Sequence, residues 1–299
     1  MADEYYPSVT YENAEGVTVT LSGERTDDVW EVNGRSGAEV PELSATSVTY
    51  ADGSSRIVSA KIEPRTVTLQ MALKGTNQQV TDTRFHDLMS RLIQTGSRDE
   101  WGKLTFTRTD GKRVYLSALY TGGANIADEY RRLKVFTLEF MAGDPYFYNV
   151  DETEVTASSS AGGTFINDGV YLGAWTMRSG AATELDVYNN GEVCYPVLKI
   201  HGPAAVIEFS NELTGKTLAL DPDYVLLAND ELTVNCRPGE RKITLTSGGK
   251  ESDVTYLLAT TSSLNWQIAR GHNKISIAYT GGAARTDYTL YFRERYLSA

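Results

Sequence analysis

Histidine and cysteine are scarce: the 299 residues hold three of the first and two of the second. No two of His86, His201 and His272 share the spacing of a His-Glu-x-x-His pair, and Cys194 and Cys236 lack Cys-x-x-Cys partners, so no local transition-metal motif exists. Two cysteines are also too few for a disulfide scaffold, and both read as ordinary buried thiols. Positive charge is short. The net charge is −11, with 16 basic against 21 acidic residues in 1–150 and 12 against 18 in 151–299. Neither half offers the basic face that phosphate contacts require, which argues against nucleic-acid binding. No run nears the roughly 18 apolar residues of a spanning helix, so no membrane insertion is expected. Ala2-Asp3-Glu4-Tyr5-Tyr6 after Met1 shows no signal-peptide pattern, predicting a product that stays soluble where it is made. Gly-x-Ser-x-Gly and Walker-type phosphate loops are missing too.

What is present reads mostly as strand. Val67, Leu69 and Met71 alternate within Thr66–Met71, and similar runs cover 103–107, 113–120 and 133–140. Asp110-Gly111 joins two of these as a tight hairpin, and Asn33-Gly34, Asp52-Gly53 and Gly122-Gly123 are further turn signals. One segment breaks the period. Phe85, Leu88, Met89, Leu92 and Ile93 share one helical face, with Thr81 or Asp82 as candidate cap and Gly96 as candidate stop. That stripe must lie against a sheet, which makes 1–150 an α+β unit. The small-residue run Ala157–Gly163 marks a junction over 151–168. Beyond it, strands are expected at 195–200, 205–209, 217–220, 231–236, 242–246, 273–279 and 287–292, separated by turns. This spacing predicts a jelly-roll β-sandwich over 169–299.

Candidate chemistry is thin. Asp221, Asp223, Asp230 and Glu231 are the carboxylates a glycan hydrolase would need, but they sit in turn-like segments where solvated charge is the default. No Asp-x-Asp-x-Asp-Gly calcium loop occurs. His86 reads as a solvated helix residue, His201 as a turn histidine and His272 as a loop residue. Trp175 and Trp266, with Tyr171 and Tyr256, are candidates for a sugar-stacking platform. Leu264, Trp266 and Ile268 alternate onto one face, however, so Trp266 is assigned to the core and Trp175 is left as the possible glycan contact.

The order of these features resembles the siphophage distal tail protein family. In the first half the order is Val40-Pro41, Ala51-Asp52-Gly53, the strand from Pro64, the helix Phe85–Gln94, the hairpin 104–120, and the close Gly143-Asp144-Pro145-Tyr146-Phe147-Tyr148. In the second half the matching segments are Asn190–Pro203, Asn211–Gly215, Arg270–Ile275 and Arg293–Tyr296; residues 151–185 match least. The resemblance implies a mainly β protein. Its N-terminal domain would carry one helix on a β-sandwich or split barrel, and its C-terminal domain would be galectin-like or carbohydrate-module-like. It further implies a structural virion subunit of the tail tip, with no catalysis and no cofactor, made in the host cytoplasm. Residues 1–150 would form a homo-hexameric ring between the tail tube and the adsorption apparatus. The expected partners are the tube protein, a hub or tail-associated lysin-type protein, and a receptor-binding protein. The alternative is a carbohydrate-binding protein or adhesin acting through the C-terminal sandwich. Its short turns leave few long loops for a cleft, which favours a docking platform.

Overall fold

The computed structural model describes residues 8–22, 29–93, 101–159, 183–280 and 286–299. The fold is mainly β, with a single α-helix among the described residues. Two compact units divide the chain: Met1–Val150 together with Arg295–Ala299, and Asp151–Glu294.

In the first unit the strands are β1 (Val9–Glu12), β2 (Thr18–Ser22), β3 (Val29–Ser36), β4 (Leu43–Thr49), β5 (Ser55–Ile62), β6 (Arg65–Lys74), β7 (Gly102–Thr107), β8 (Arg113–Tyr130), β9 (Leu133–Ala142) and β10 (Phe147–Asn149). The order β2-β1-β7-β8-β9-β6-β3 runs antiparallel throughout and curls into a nearly closed barrel. Alternation makes the inside. Val67, Leu69 and Met71, Leu104 and Phe106, Leu116 and Ala118, and Phe136, Leu138 and Phe140 are all buried in one core. At about 1.5–3 kcal/mol per fully buried large apolar side chain, this core is the main stabilising term.

Helix α1 (Gln78–Leu92) covers part of the barrel with Phe85, Leu88 and Leu92. Phe85 meets Phe136 edge-on at 5.1 Å. The start is one turn earlier than the sequence indicates. Asn77, not Thr81 or Asp82, is the cap, its Oδ1 accepting the Val80 N–H at 2.9 Å. Thr81 is buried within the helix, and Asp82 is held by Lys134 at 2.7 Å. The helix stops at Leu92, where Ile93 turns extended, and Gly96 lies outside the described residues.

Two expected turns are strand irregularities instead. Asn33-Gly34 falls inside β3, where the register against β6 shifts between Glu31 and Arg35. Gly122-Gly123 sits within the 18-residue β8 at a bulge against β9. Gly123 has φ 96°, and an added Cβ would meet the Thr137 carbonyl oxygen at 2.7 Å, so backbone closeness and not chain reversal explains that glycine. Asp52-Gly53 does form a turn, joining β4 to β5 in a separate two-stranded sheet.

In the second unit the strands are β11 (Thr153–Ser159), β12 (Thr183–Asn189), β13 (Val197–His201), β14 (Ala204–Asn211), β15 (Lys216–Ala219), β16 (Val225–Leu226), β17 (Glu231–Asn235), β18 (Lys242–Ser247), β19 (Lys250–Asp253), β20 (Gly271–Thr280) and β21 (Thr286–Phe292). One sheet runs β11-β21-β13-β17-β18-β19. The other runs β12-β20-β14-β15, with β16 on β14. Both sheets feed a single core, from Leu198, Ile200, Leu232 and Leu290 on one side to Phe209, Ile275 and Ile277 on the other, as in a β-sandwich. Residues 153–159, in the stretch read as a junction, pair with β21 across its full length. The chain then returns to the first unit, where β22 (Arg295–Tyr296) pairs with β10.

Candidate functional site

Among the described residues, those singled out for chemistry do not gather into one site. His86 is exposed on α1. His201 ends β13, where its Nε2 lies 3.3 Å from Glu231, and Glu231 also faces Lys199. Asp221 accepts the Asp223 N–H, and Asp230 is buried with its backbone held by Gly202 and Leu227. These are local turn and cross-strand contacts. Among the described residues no group of three or more His, Cys, Asp or Glu is placed to hold a metal ion, and no helix is long and apolar enough to cross a membrane.

Trp266 is 1% exposed, meets Phe209 edge-on, and donates Nε1–H to the Lys216 carbonyl, which makes it core. Trp175 and Tyr171 lie outside the described residues. Cys194 and Cys236 are buried free thiols, and burial pushes Cys236 up to about 12. His272 is corrected from loop to strand. It pairs with Tyr188 on β12, a strand hidden in the least readable part of the sequence. Their rings lie 4.6 Å apart on an exposed face, with Asp186 3.6 Å from His272 Nδ1.

Other quoted motifs turn out to be fasteners. In Asp144-Pro145-Tyr146-Phe147-Tyr148, Asp144 accepts both the Tyr146 N–H and the Tyr148 hydroxyl, the latter at 2.5 Å. Burial and then the Asp144 carboxylate push the Tyr148 phenol well above its ordinary value. Phe147 is fully buried against Phe106 and pairs with Tyr296. Arg295 stacks over Tyr146 at 4.1 Å. Nearby, the Arg65 guanidinium donates to three carbonyls, Gly37 (3.2 Å), Glu39 (3.1 Å) and Leu297 (2.9 Å), and lies over Phe147. Burial draws its pKa down, opposed by Asp144 and Glu39. The motif is thus the seat into which the chain's last residues return.

A second fastener joins Asn189, Asn211 and Asn273 in the second unit, all buried. Asn273 Oδ1 accepts from Asn211 Nδ2 and the Ala269 N–H, and its Nδ2 donates to the Ala269 and Gly271 carbonyls. Asn189 Nδ2 donates to the Glu192 and Ala269 carbonyls, and Asn211 Nδ2 donates to the Gln267 carbonyl as well as to Asn273. The amides close the turns in Asn190–Pro203, Asn211–Gly215 and Arg270–Ile275.

What remains unsatisfied is surface. The β4–β5 hairpin and its roots expose Val40 (67%), Leu43 (66%) and Ile57 (65%), and Trp101 and Met141 are exposed on the barrel. A cleft of about 660 Å³ opens at the hairpin root between Glu39, Val40, Leu43, Glu63, Pro64 and Arg65. The Asp52-Gly53 turn is legible in the sequence, but the strands on either side of it are not. The alternation of Ile57, Ala60 and Ile62 is broken by one extra residue, so no clean period marks them.

No protein-family model matches the sequence, and no curated protein matches it. Solved structures do match in fold. The Dit protein of phage SPP1, described as a paradigm of the hub adsorption apparatus in phages infecting Gram-positive bacteria, is 18% identical. The match covers 97% of this chain and 99% of that chain, with a TM-score of 0.64. A chain of the phage P2 baseplate, in its activated conformation with Ca, is 9% identical over 98% of this chain and 100% of that chain, with a TM-score of 0.50.

Proposed function

We propose that this chain is a structural subunit of a phage tail tip, forming a closed hexameric ring that joins the tail tube to the adsorption apparatus. The observation that carries this reading is the whole-chain likeness in fold to SPP1 Dit, which spans 97% of this chain and 99% of that one. The first unit would form the ring. The second would be a spacer and docking platform for a hub or lysin-type protein and for a receptor-binding protein, and the chain's place would be the virion. An acidic chain of net charge −11 suits a conduit, since it offers passing nucleic acid no cationic hold. A head-to-tail contact that closes needs no two-fold pattern in the chain. Native mass spectrometry tests the ring: a species at six times the 32.9 kDa chain mass is expected. A chain that stays single at every concentration defeats the reading.

One observation favours a second reading, an adhesin acting through the second unit. Tyr188 and His272 form an exposed ring pair beside Asp186, a polar aromatic face of the kind sugars stack on. Among the described residues no long loop forms a cleft around this face, so we favour the platform. Calorimetry against cell-wall fragments of a susceptible host should give no heat of binding. Binding that Tyr188→Ala removes would reverse the choice.

A further inference from the structure

The β4–β5 hairpin is tied to the first unit at its root, and part of what holds the root lies after the second unit in sequence. Among the described residues β4 and β5 pair only with each other, so no ladder bond sets where the ribbon sits on the barrel. A two-stranded ribbon is also marginally stable by itself in water. Its position therefore depends on the segments at its two ends. The leaving end is short, since β5 stops at Ile62 and β6 opens at Arg65. The entering end is residues 37–42. Gly37 lies so close to β6 that an added Cβ would stand 2.0 Å from the Thr66 carbonyl oxygen, and its φ of 81° is in the left-handed region. Ala38, next to it, is buried in the barrel core.

Three successive root carbonyls accept from distant donors. Gly37 and Glu39 accept from Arg65 Nη1 at 3.2 and 3.1 Å, and Ala38 accepts the Ala299 N–H at 3.2 Å. The same guanidinium reaches the Leu297 carbonyl through Nη2 at 2.9 Å. The returning segment thus meets the root twice, once directly and once through Arg65. It is itself anchored just upstream of these bonds. Tyr296 and Arg295 pair with Phe147 and Tyr148, Arg295 stacks over Tyr146, and the Arg108 guanidinium lies over the Tyr296 ring at 5.6 Å. Arg295–Ala299 belong with Met1–Val150, so all of these contacts lie within the first unit. In sequence, however, the whole of Asp151–Glu294 separates the root from the residues that hold it. A buried or half-buried carbonyl stays in place only while its donor does, so movement at one end of this chain of bonds is felt at the other.

We propose that residues 295–299 are a latch: closed, they seat the β4–β5 hairpin on the first unit, and open, they release it while the barrel stays folded. The latch is a property of one chain and does not depend on the ring reading. Coupling of this kind is reciprocal, so disturbing the root must also loosen the latch. The test is native-state hydrogen exchange of the full chain, read by mass spectrometry over residues 37–62 and 295–299. Ala299→Pro removes the N–H that meets the Ala38 carbonyl, at an exposed residue where the fold survives. One hydrogen bond corresponds to exchange over 37–62 about 2–10-fold faster. Tyr296→Ala takes away the ring that meets Arg108 and the core, loosens the backbone leading to Leu297, and should speed that exchange by more than about tenfold. Leu88→Ala, in the same core but in none of the bonds named, should leave it within about twofold, because the hairpin opens locally and not through unfolding of the barrel. In the reverse direction, Gly37→Ala pushes the root off β6 and should speed exchange over 295–299 by about tenfold. Exchange over 37–62 that is unchanged in both Ala299→Pro and Tyr296→Ala, or that Leu88→Ala speeds as much as Tyr296→Ala does, overturns the latch. So does a folded Gly37→Ala chain whose exchange over 295–299 stays at the native rate.

Discussion

Replacing Arg65 with Met tests how the first unit holds the root of its hairpin and the end of the chain. Arg65 opens β6, is 6% exposed, and ties together Gly37, Glu39 and Leu297 through their carbonyls. Methionine keeps the unbranched stem and the contact with Phe147 but deletes the donors. A hydrogen bond to a charged group contributes about 1.5–3 kcal/mol, and a buried acceptor left unpaired costs about 1–3 kcal/mol. Relief from desolvating the guanidinium offsets part of this. The cleft beside Gly37 and Glu39 also lets water reach those two carbonyls, so the Leu297 bond dominates. The net loss should be about 2–4 kcal/mol. A domain of this size loses roughly 2–4 °C of Tm per kcal/mol, so the first unit's transition should fall by about 4–16 °C. Calorimetry of the full chain supplies its own control, because the second unit, Asp151–Glu294, contains none of these groups and its transition should stay put. Arg65→Lys should fall between the two, since one ammonium cannot span three carbonyls. A first-unit transition lowered by less than about 1 °C refutes the reasoning, as it would mean the three carbonyls are satisfied without Arg65.

In the second unit, Asn273→Ala leaves the Ala269 N–H and one of the two Asn211 amide hydrogens without their acceptor, while Asn211 keeps its bond to the Gln267 carbonyl. A loss of about 2–4 kcal/mol is expected in that unit alone, read as a drop in its calorimetric transition. Thiol titration gives a third check. Cys236, held up to about 12 by burial, has almost no thiolate at pH 8 and should not react in the native chain, whereas after unfolding without reductant both Cys194 and Cys236 should react. A native chain that labels quickly at Cys236 would show that the core opens.

Alternation and turn residues, which are local, determined much of this protein. They located β6, β7 and β9, most strands of the sandwich, the apolar stripe of α1 and the burial of Trp266, because side-chain period follows directly from backbone geometry. The order of motifs added the family likeness that the whole-chain fold match parallels. Only the tertiary structure decided what depends on partners distant in sequence. Gly122-Gly123 reads as a turn until β9 is laid beside it and the pair becomes a bulge. His272 reads as loop until β12 supplies its partner. Arg293–Tyr296 carried the likeness by sequence, but that the chain ends by returning to Phe147 and Arg65 is a contact across more than a hundred residues, which no local period encodes. The hairpin is the sharpest case. Its composition is unremarkable along the chain, and its pattern comes from register, which gathers five apolar side chains on one face, two of which, Leu43 and Ile57, are exposed.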